Sequence, residues 1–146
     1  SSVTGVQTCA LPILSLMMEV NVEQFSKVLA GILKNSMYAL LKKSETVTFS
    51  PEIFLGLKVN KDMLEITIRD NGSGIDENIK DKIFAPFFTT KTTGEAAGVG
   101  LYLCREIVQN HRGTIEVESK KGEYTQFLIT IPVYQPKTIT PPKEEE

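Results

Sequence analysis

Two hairpins written in period two set the strongest limit on what this chain can become. Ile53 to Val59 reads as a strand, Asn60-Lys61-Asp62 as a turn, and Met63 to Arg69 as a second strand alternating in Leu64, Ile66 and Ile68. Thr114 to Glu118 and Thr125 to Val133 repeat the pattern around a Lys120–Glu123 turn. Strands joined by turns this short are antiparallel, and a sheet apolar on one face needs helices to cover it. Two segments have the period for that. Asn21 is the N-cap expected for the first, where Phe25, Val28, Leu29, Ile32, Leu33, Met37 and Leu40 keep helical spacing until about Lys43. The second runs from Gly98 to Asn110, with Leu101, Tyr102, Cys104, Ile107 and Val108 inward and Gly113 as its stop. Asp76 to Phe84 is a short helix, and Thr89 to Ala97, small and aperiodic, a loop. Helix, hairpin, short helix, loop, helix, hairpin predicts an α+β fold: a two-layer sandwich of a mostly antiparallel sheet with helices on one face.

Composition narrows the function. The 146 residues carry a net charge of −2, which argues against a nucleic-acid binder. Two cysteines, Cys9 and Cys104, cannot build a disulfide framework, and this fits a reducing, cytoplasmic setting. No apolar run approaches the roughly 20 residues of a membrane helix, which predicts a soluble chain. The two ends stand apart. Residues 1–13 resemble the in-frame translation of a sequencing adaptor, matching it residue for residue from Val3 to Ile13, so natural sequence is expected to start near Leu14. Leu14 to Val20 is apolar and reads as a strand remnant, and 135–146, rich in proline and glutamate, as a disordered tail.

Several residues fit the chemistry of a nucleotide. Asp70 ends a strand before Asn71-Gly72-Ser73-Gly74. That composition suits a plain turn. It also suits base recognition, because a carboxylate accepts a hydrogen bond from an exocyclic amine and glycines let a flat ring approach the backbone. Asn35 sits mid-helix, where asparagine is a weak helix former. It is either an exposed polar residue or an amide oxygen offered to Mg²⁺, which takes few protein ligands and completes its shell with phosphate and water. Gly98-Val99-Gly100 opens a helix, where free amides and the dipole favour phosphate, and Lys91 can add positive charge. Phe84, Phe87 and Phe88 bracket Pro86, as core packing that anchors the base of the loop.

The order of these segments carries a resemblance. FSKVLAGILKNSMYALLKK resembles the asparagine box of the histidine-kinase ATP-binding domain, DNGSGI its first glycine box, IFAPFFTTK its phenylalanine box, and GVGLYLCREIVQNHRGTIEVES its second glycine box together with the segment after it. GEYTQFLITIPV resembles its closing strand, so the likeness runs from about Val20 to Val133. It implies a Bergerat-type fold over residues 14–134, shared with gyrase, the Hsp90 chaperones and the MutL repair proteins; the aromatic box and Thr89-Thr90-Lys91 favour the kinase branch. By resemblance, ATP lies between helices and sheet, Asp70 meets the adenine amine, Asn35 holds Mg²⁺, and Gly98 and Gly100 present amides to the phosphates. Thr89 to Ala97 is the lid, Thr125 stands near the adenine, and Gly72, Gly74, Ile75, Lys91, Val99 and Leu101 complete the site. The implied reaction is transfer of the γ-phosphoryl to a histidine on a dimerisation domain lying upstream or on another chain. A response regulator takes it from there, and the full-length protein is a homodimer.

The chain departs from the family's pattern in ways that bear on activity. Gly31 stands where the family usually has Asn, His or Glu, and it offers neither base nor ligand. Ala96 and Ala97 replace a glycine and a threonine, and Ala85 replaces a glutamate. These changes keep a second reading open, a degenerate nucleotide-binding or interaction module on the same fold. A serine kinase of the anti-sigma type fits less well. The single histidine, His111, reads as structural, so the phosphoacceptor must lie elsewhere.

Overall fold

The computed structural model describes residues 18–86, 88 and 100–133. The elements follow the order helix α1 (Val22–Ser44), strands β1 (Ile53–Asn60) and β2 (Met63–Asp70), short helix α2 (Glu77–Lys80), helix α3 (Leu101–Asn110), strands β3 (Thr114–Lys120) and β4 (Tyr124–Pro132). The strands form one antiparallel sheet in the order β1-β2-β4-β3. Leu64, Ile66 and Ile68 on β2 and Phe127, Ile129 and Ile131 on β4 point to one face, where Val28 and Ile32 of α1 and Cys104, Ile107 and Val108 of α3 cover them. Burial pushes the Cys104 thiol up to about 11.

Local chemistry fixes where elements start and stop. The Asn21 side chain accepts a hydrogen bond from Gln24 N at 3.0 Å, the N-cap expected for α1. At the far end of α3 the helix does not stop as expected. Arg112, not Gly113, takes the left-handed conformation (φ 59°). Gly113 is needed for another reason: a Cβ there would overlap the Thr130 carbonyl oxygen and lie 2.9 Å from Ile131 Cδ1. His111 joins the two long helices. Its Nε2 accepts from Asn21 N at 2.8 Å and its Nδ1 lies 2.7 Å from the Ile107 carbonyl oxygen. A carbonyl only accepts, so the ring is neutral with its proton on Nδ1.

Several details differ from what the sequence suggests. The helix expected over Asp76 to Phe84 is one turn, with Asp76 as N-cap and turns after Lys80. Tyr102 is exposed rather than inward, and Met37, on the expected buried stripe of α1, is 55% exposed. Residues 18–20 form no strand, and 14–17 lie outside the described residues. On β1 the inward-register Leu55 and Leu57 remain 58% and 68% exposed, because β1 is the sheet edge and α1 packs over β2.

Candidate functional site: the polar row beneath helix α1

Asp70 is the last residue of β2 and 2% exposed. Across the ladder it faces Thr125 of β4, and Thr125 in turn faces Ser119 of β3. All three are buried, so a polar row crosses the end of an otherwise apolar sheet. Burial pushes the Asp70 carboxyl above its ordinary value near 3.8; the Gly72 amide, the Ser36 hydroxyl and the Lys43 ammonium pull the other way. The Gly72 N–H donates to Asp70 Oδ1 at 2.9 Å. Ser36, on α1, is 1% exposed, and its Oγ makes no hydrogen bond of normal geometry, although it lies near enough to Asp70 to favour the charged form. A buried hydroxyl left without a partner costs about 1–3 kcal/mol, which marks a place where a ligand or water belongs.

The loop after Asp70 is pinned on two sides. Ser73 N donates to Ala39 O at 3.1 Å and Lys43 Nζ to Asn71 O at 2.7 Å, which ties it to α1. A Cβ on Gly72 would lie 2.7 Å from the Ala39 carbonyl carbon and 2.8 Å from Asp70 Oδ1. Gly122 N donates to Ser73 O at 2.6 Å and Ile75 N to Ser119 Oγ at 2.9 Å, which ties the loop to the β3–β4 turn. Gly74 has φ 66°, and a Cβ there would overlap the Lys120 carbonyl oxygen. The glycines of this motif are therefore required by backbone packing, whatever they do for a ring. Asn71 faces outward, where its Nδ2 donates to Ser50 O and its Oδ1 accepts from Glu52 N, both at 2.8 Å, holding the entry to β1.

Asn35 is half-buried on α1, next to Ser36 and one turn before Ala39. Gly31, a further turn back, is buried. Gly100 is the N-cap of α3 without a side-chain cap, and a Cβ on it would meet nothing within 4 Å among the described residues. Leu101 and Ile75 pack against the core. Phe84 lies edge-on to Phe127 with centroids 6.4 Å apart, and Arg105 of α3 stands 5.4 Å over its ring. Phe84 and Phe88 are both partly buried against the core. Lys91, Gly98, Val99, the rest of the expected lid, Phe87, Ala96 and Ala97 lie outside the described residues.

The donor set fits a nucleotide better than a protein-caged metal. Among the described residues no three His, Cys, Asp or Glu side chains cluster to hold an ion. A cation here would rest on the Asn35 amide and on phosphate oxygens, the coordination Mg²⁺ favours.

The family model described as histidine kinase-, DNA gyrase B-, and HSP90-like ATPase matches residues 21–135. The chain belongs to that family. Among its relatives are sporulation kinase E of Bacillus subtilis, 35% identical over 77% of this chain and 14% of that protein, and the alginate biosynthesis sensor protein KinB of Pseudomonas aeruginosa, 36% identical over 75% of this chain and 17% of that protein. The solved catalytic domain of histidine kinase ThkA, in a nucleotide-free form, superposes with a TM-score of 0.64 at 29% identity, over 79% of this chain and 70% of that one. The kinase-type domain thus spans about a seventh of the length of the curated relatives it matches. No helix among the described residues is long and apolar enough to cross a membrane.

Sequence reasoning reached Asp70 and Thr125 but missed Ser36 and Ser119. Ser119 had a signal: it lies directly across from Thr125 once β3 is extended past Glu118.

Proposed function

We propose that this domain, over residues 14–134, binds Mg·ATP between α1 and the sheet and supplies the γ-phosphoryl for a two-component phosphorelay. The observation that carries it is the buried Asp70 carboxylate at the end of a polar row, beneath an unpartnered Ser36 hydroxyl, in an otherwise apolar interior. Asp70 and Thr125 would meet the base and Asn35 would hold the cation. The start of α3 at Gly100, with Gly98, Val99 and Lys91 before it, would face the phosphates. Bound Mg²⁺ would neutralise charge on the phosphates. The chain's own residues would position the triphosphate and exclude water.

The acceptor must come from elsewhere. The chain has one histidine, and both its ring nitrogens are engaged, with Asn21 N and Ile107 O. In the transfer, the bond from the γ-phosphorus to the β–γ bridging oxygen breaks and ADP leaves with the electron pair. A phosphorus–nitrogen bond forms to an imidazole of the dimerisation domain, and the response regulator accepts the group next. Gly31 supplies no side chain to activate water, which favours transfer over hydrolysis. The setting proposed is the cytoplasm, within a homodimeric kinase.

Calorimetry with ATP tests the base assignment. Asp70→Asn keeps the shape and removes the acceptor charge, and ATP binding should be lost. Equal affinity in the wild type and the variant would reject it.

A further inference from the structure

The hydroxyl protons of the polar row can be counted. A serine hydroxyl has one hydrogen to give. Ser119 Oγ lies 2.7 Å from the Tyr124 carbonyl oxygen, which only accepts, so the Ser119 hydrogen is there. Ser119 Oγ also accepts from Ile75 N at 2.9 Å. The 3.0 Å contact between Ser119 Oγ and Thr125 Oγ1 must then be made with the hydrogen of Thr125. Thr125 is left with lone pairs only. Its neighbour across the ladder, Asp70, is acceptor-only when ionised, and the Gly72 amide nearby is already given to Asp70 Oδ1. On the sheet the floor of the site is therefore a pair of acceptors, Asp70 and Thr125, with the Ser36 hydroxyl beside Asp70 on the α1 side, and Ser119, the third residue of the row, sets the polarity of Thr125 without standing next to Asp70.

We propose that Ser119 is a positioning residue: by holding Thr125 as an acceptor it makes the site choose a base edge that carries an amine and reject one that carries an oxo group. The inference rests on the ATP reading and deepens it. An exocyclic amine brings hydrogens to two acceptors. An oxo group in the same place sets lone pairs against lone pairs, and no hydroxyl of Thr125 can turn to meet it while Ser119 holds its hydrogen. Removal of the Ser119 hydroxyl frees Thr125 to donate, and the oxo base becomes tolerable. Ser119 also anchors the Asp70 loop through Ile75 N, so a merely structural role would weaken both kinds of nucleotide alike.

The test is calorimetric titration of the whole chain with ATP and with inosine triphosphate, which differ in the group on carbon 6 and the proton on the adjoining ring nitrogen. The wild type should prefer ATP. Ser119→Ala should lower the ATP-to-inosine ratio by roughly three- to tenfold, the range of one hydrogen bond, and Ser119→Thr, which keeps the hydroxyl, should restore it. A wild type that binds ATP with a ratio that Ser119→Ala leaves unmoved would overturn the proposal alone. A wild type that binds neither nucleotide would overturn the ATP reading and the proposal together. Should Ser119→Ala fail to fold, Thr125→Val, which removes the same lone pairs at nearly constant volume, must lower the ratio too, and an unchanged ratio there overturns the proposal.

Discussion

Two glycines of the same backbone type offer a controlled comparison of what holds the Asp70 loop in place. Gly74 and Gly122 both have positive φ, 66° and 79°. Alanine at either incurs the left-handed penalty, about 1–2 kcal/mol, which a stiffer unfolded chain offsets in part. Their surroundings differ. A Cβ on Gly122 would meet nothing within 4 Å among the described residues, whereas one on Gly74 would lie 2.8 Å from both the Lys120 carbonyl carbon and Lys121 Cα and overlap the Lys120 carbonyl oxygen. These are backbone atoms, so the turn itself must move. Overpacking of that kind adds about 1–3 kcal/mol. Gly122→Ala should therefore cost about 1 kcal/mol and Gly74→Ala about 2–4 kcal/mol. In urea, with a slope of about 1.5 kcal/mol/M, an extra 2 kcal/mol lowers the midpoint by a further ~1.3 M. The displacement also pulls on the bonds from Gly122 N to Ser73 O and from Ile75 N to Ser119 Oγ, so Gly74→Ala should weaken ATP binding under folding conditions while Gly122→Ala does not. Coincident urea curves for the two variants would show that the loop does not rest on the 120–122 turn, and its pinning there would be wrong.

Other outcomes rest on single residues. Arg112 holds the left-handed position after α3 at φ 59°, so Arg112→Gly should raise stability by about 1 kcal/mol, read as a higher urea midpoint; a loss would mean that the Arg112 side chain outweighs its backbone strain. His111→Ala removes the link between Asn21 N and the end of α3 and should cost about 1–2 kcal/mol, read from the same curves, and an unchanged midpoint would refute the link. Asp70 should titrate above its ordinary value near 3.8 in the free domain, as followed by carboxyl NMR. A raised folded value means that the free domain is most stable with Asp70 protonated and loses that increment as pH rises through the midpoint, whereas the charged form receives the amine, so added ATP should move the midpoint down. A midpoint at or below 3.8 in the free domain would reject the burial account.

The sheet was legible because its inner strands are buried on one face only, and alternation is then the simplest way to write a strand. Ile66 and Ile68, and Phe127, Ile129 and Ile131, alternate in sequence and in burial alike. The α1 stripe was legible for the same reason, with Val28 and Ile32 fully buried. Where the reading slipped, tertiary placement decided. Met37 has helical spacing but is exposed while its neighbour Ser36 takes the buried side of the helix, and Leu57 has strand spacing on the edge strand of the sheet, where it stays exposed. At Gly113 the residue type was informative and its reason was not. Glycine suits a helix stop, but here it admits the Thr130 carbonyl while Arg112 carries the positive φ.

The candidate site divides differently. Asp70 and Asn35 stand out because residues of their type end a strand or interrupt a helix where chemistry has a use for them, whereas Thr125 is pointed to only by the family resemblance. Ser36 gave no such sign: a serine between Asn35 and Met37 is unremarkable until α1 is laid on the end of β2 and its hydroxyl is buried beside Asp70 without a hydrogen bond of normal geometry. The glycines pose the reverse problem. Gly72 admits Ala39, and Gly74 admits the turn at Lys120, so both are explained before any ligand arrives. Loss of binding on their substitution would therefore show only that the loop had moved. A substitution at Asp70 that keeps its volume, and one at Ser119 read as a ratio of two bases, alter hydrogen-bonding polarity with little change in backbone. Those experiments separate recognition of a base from maintenance of the fold that would hold it.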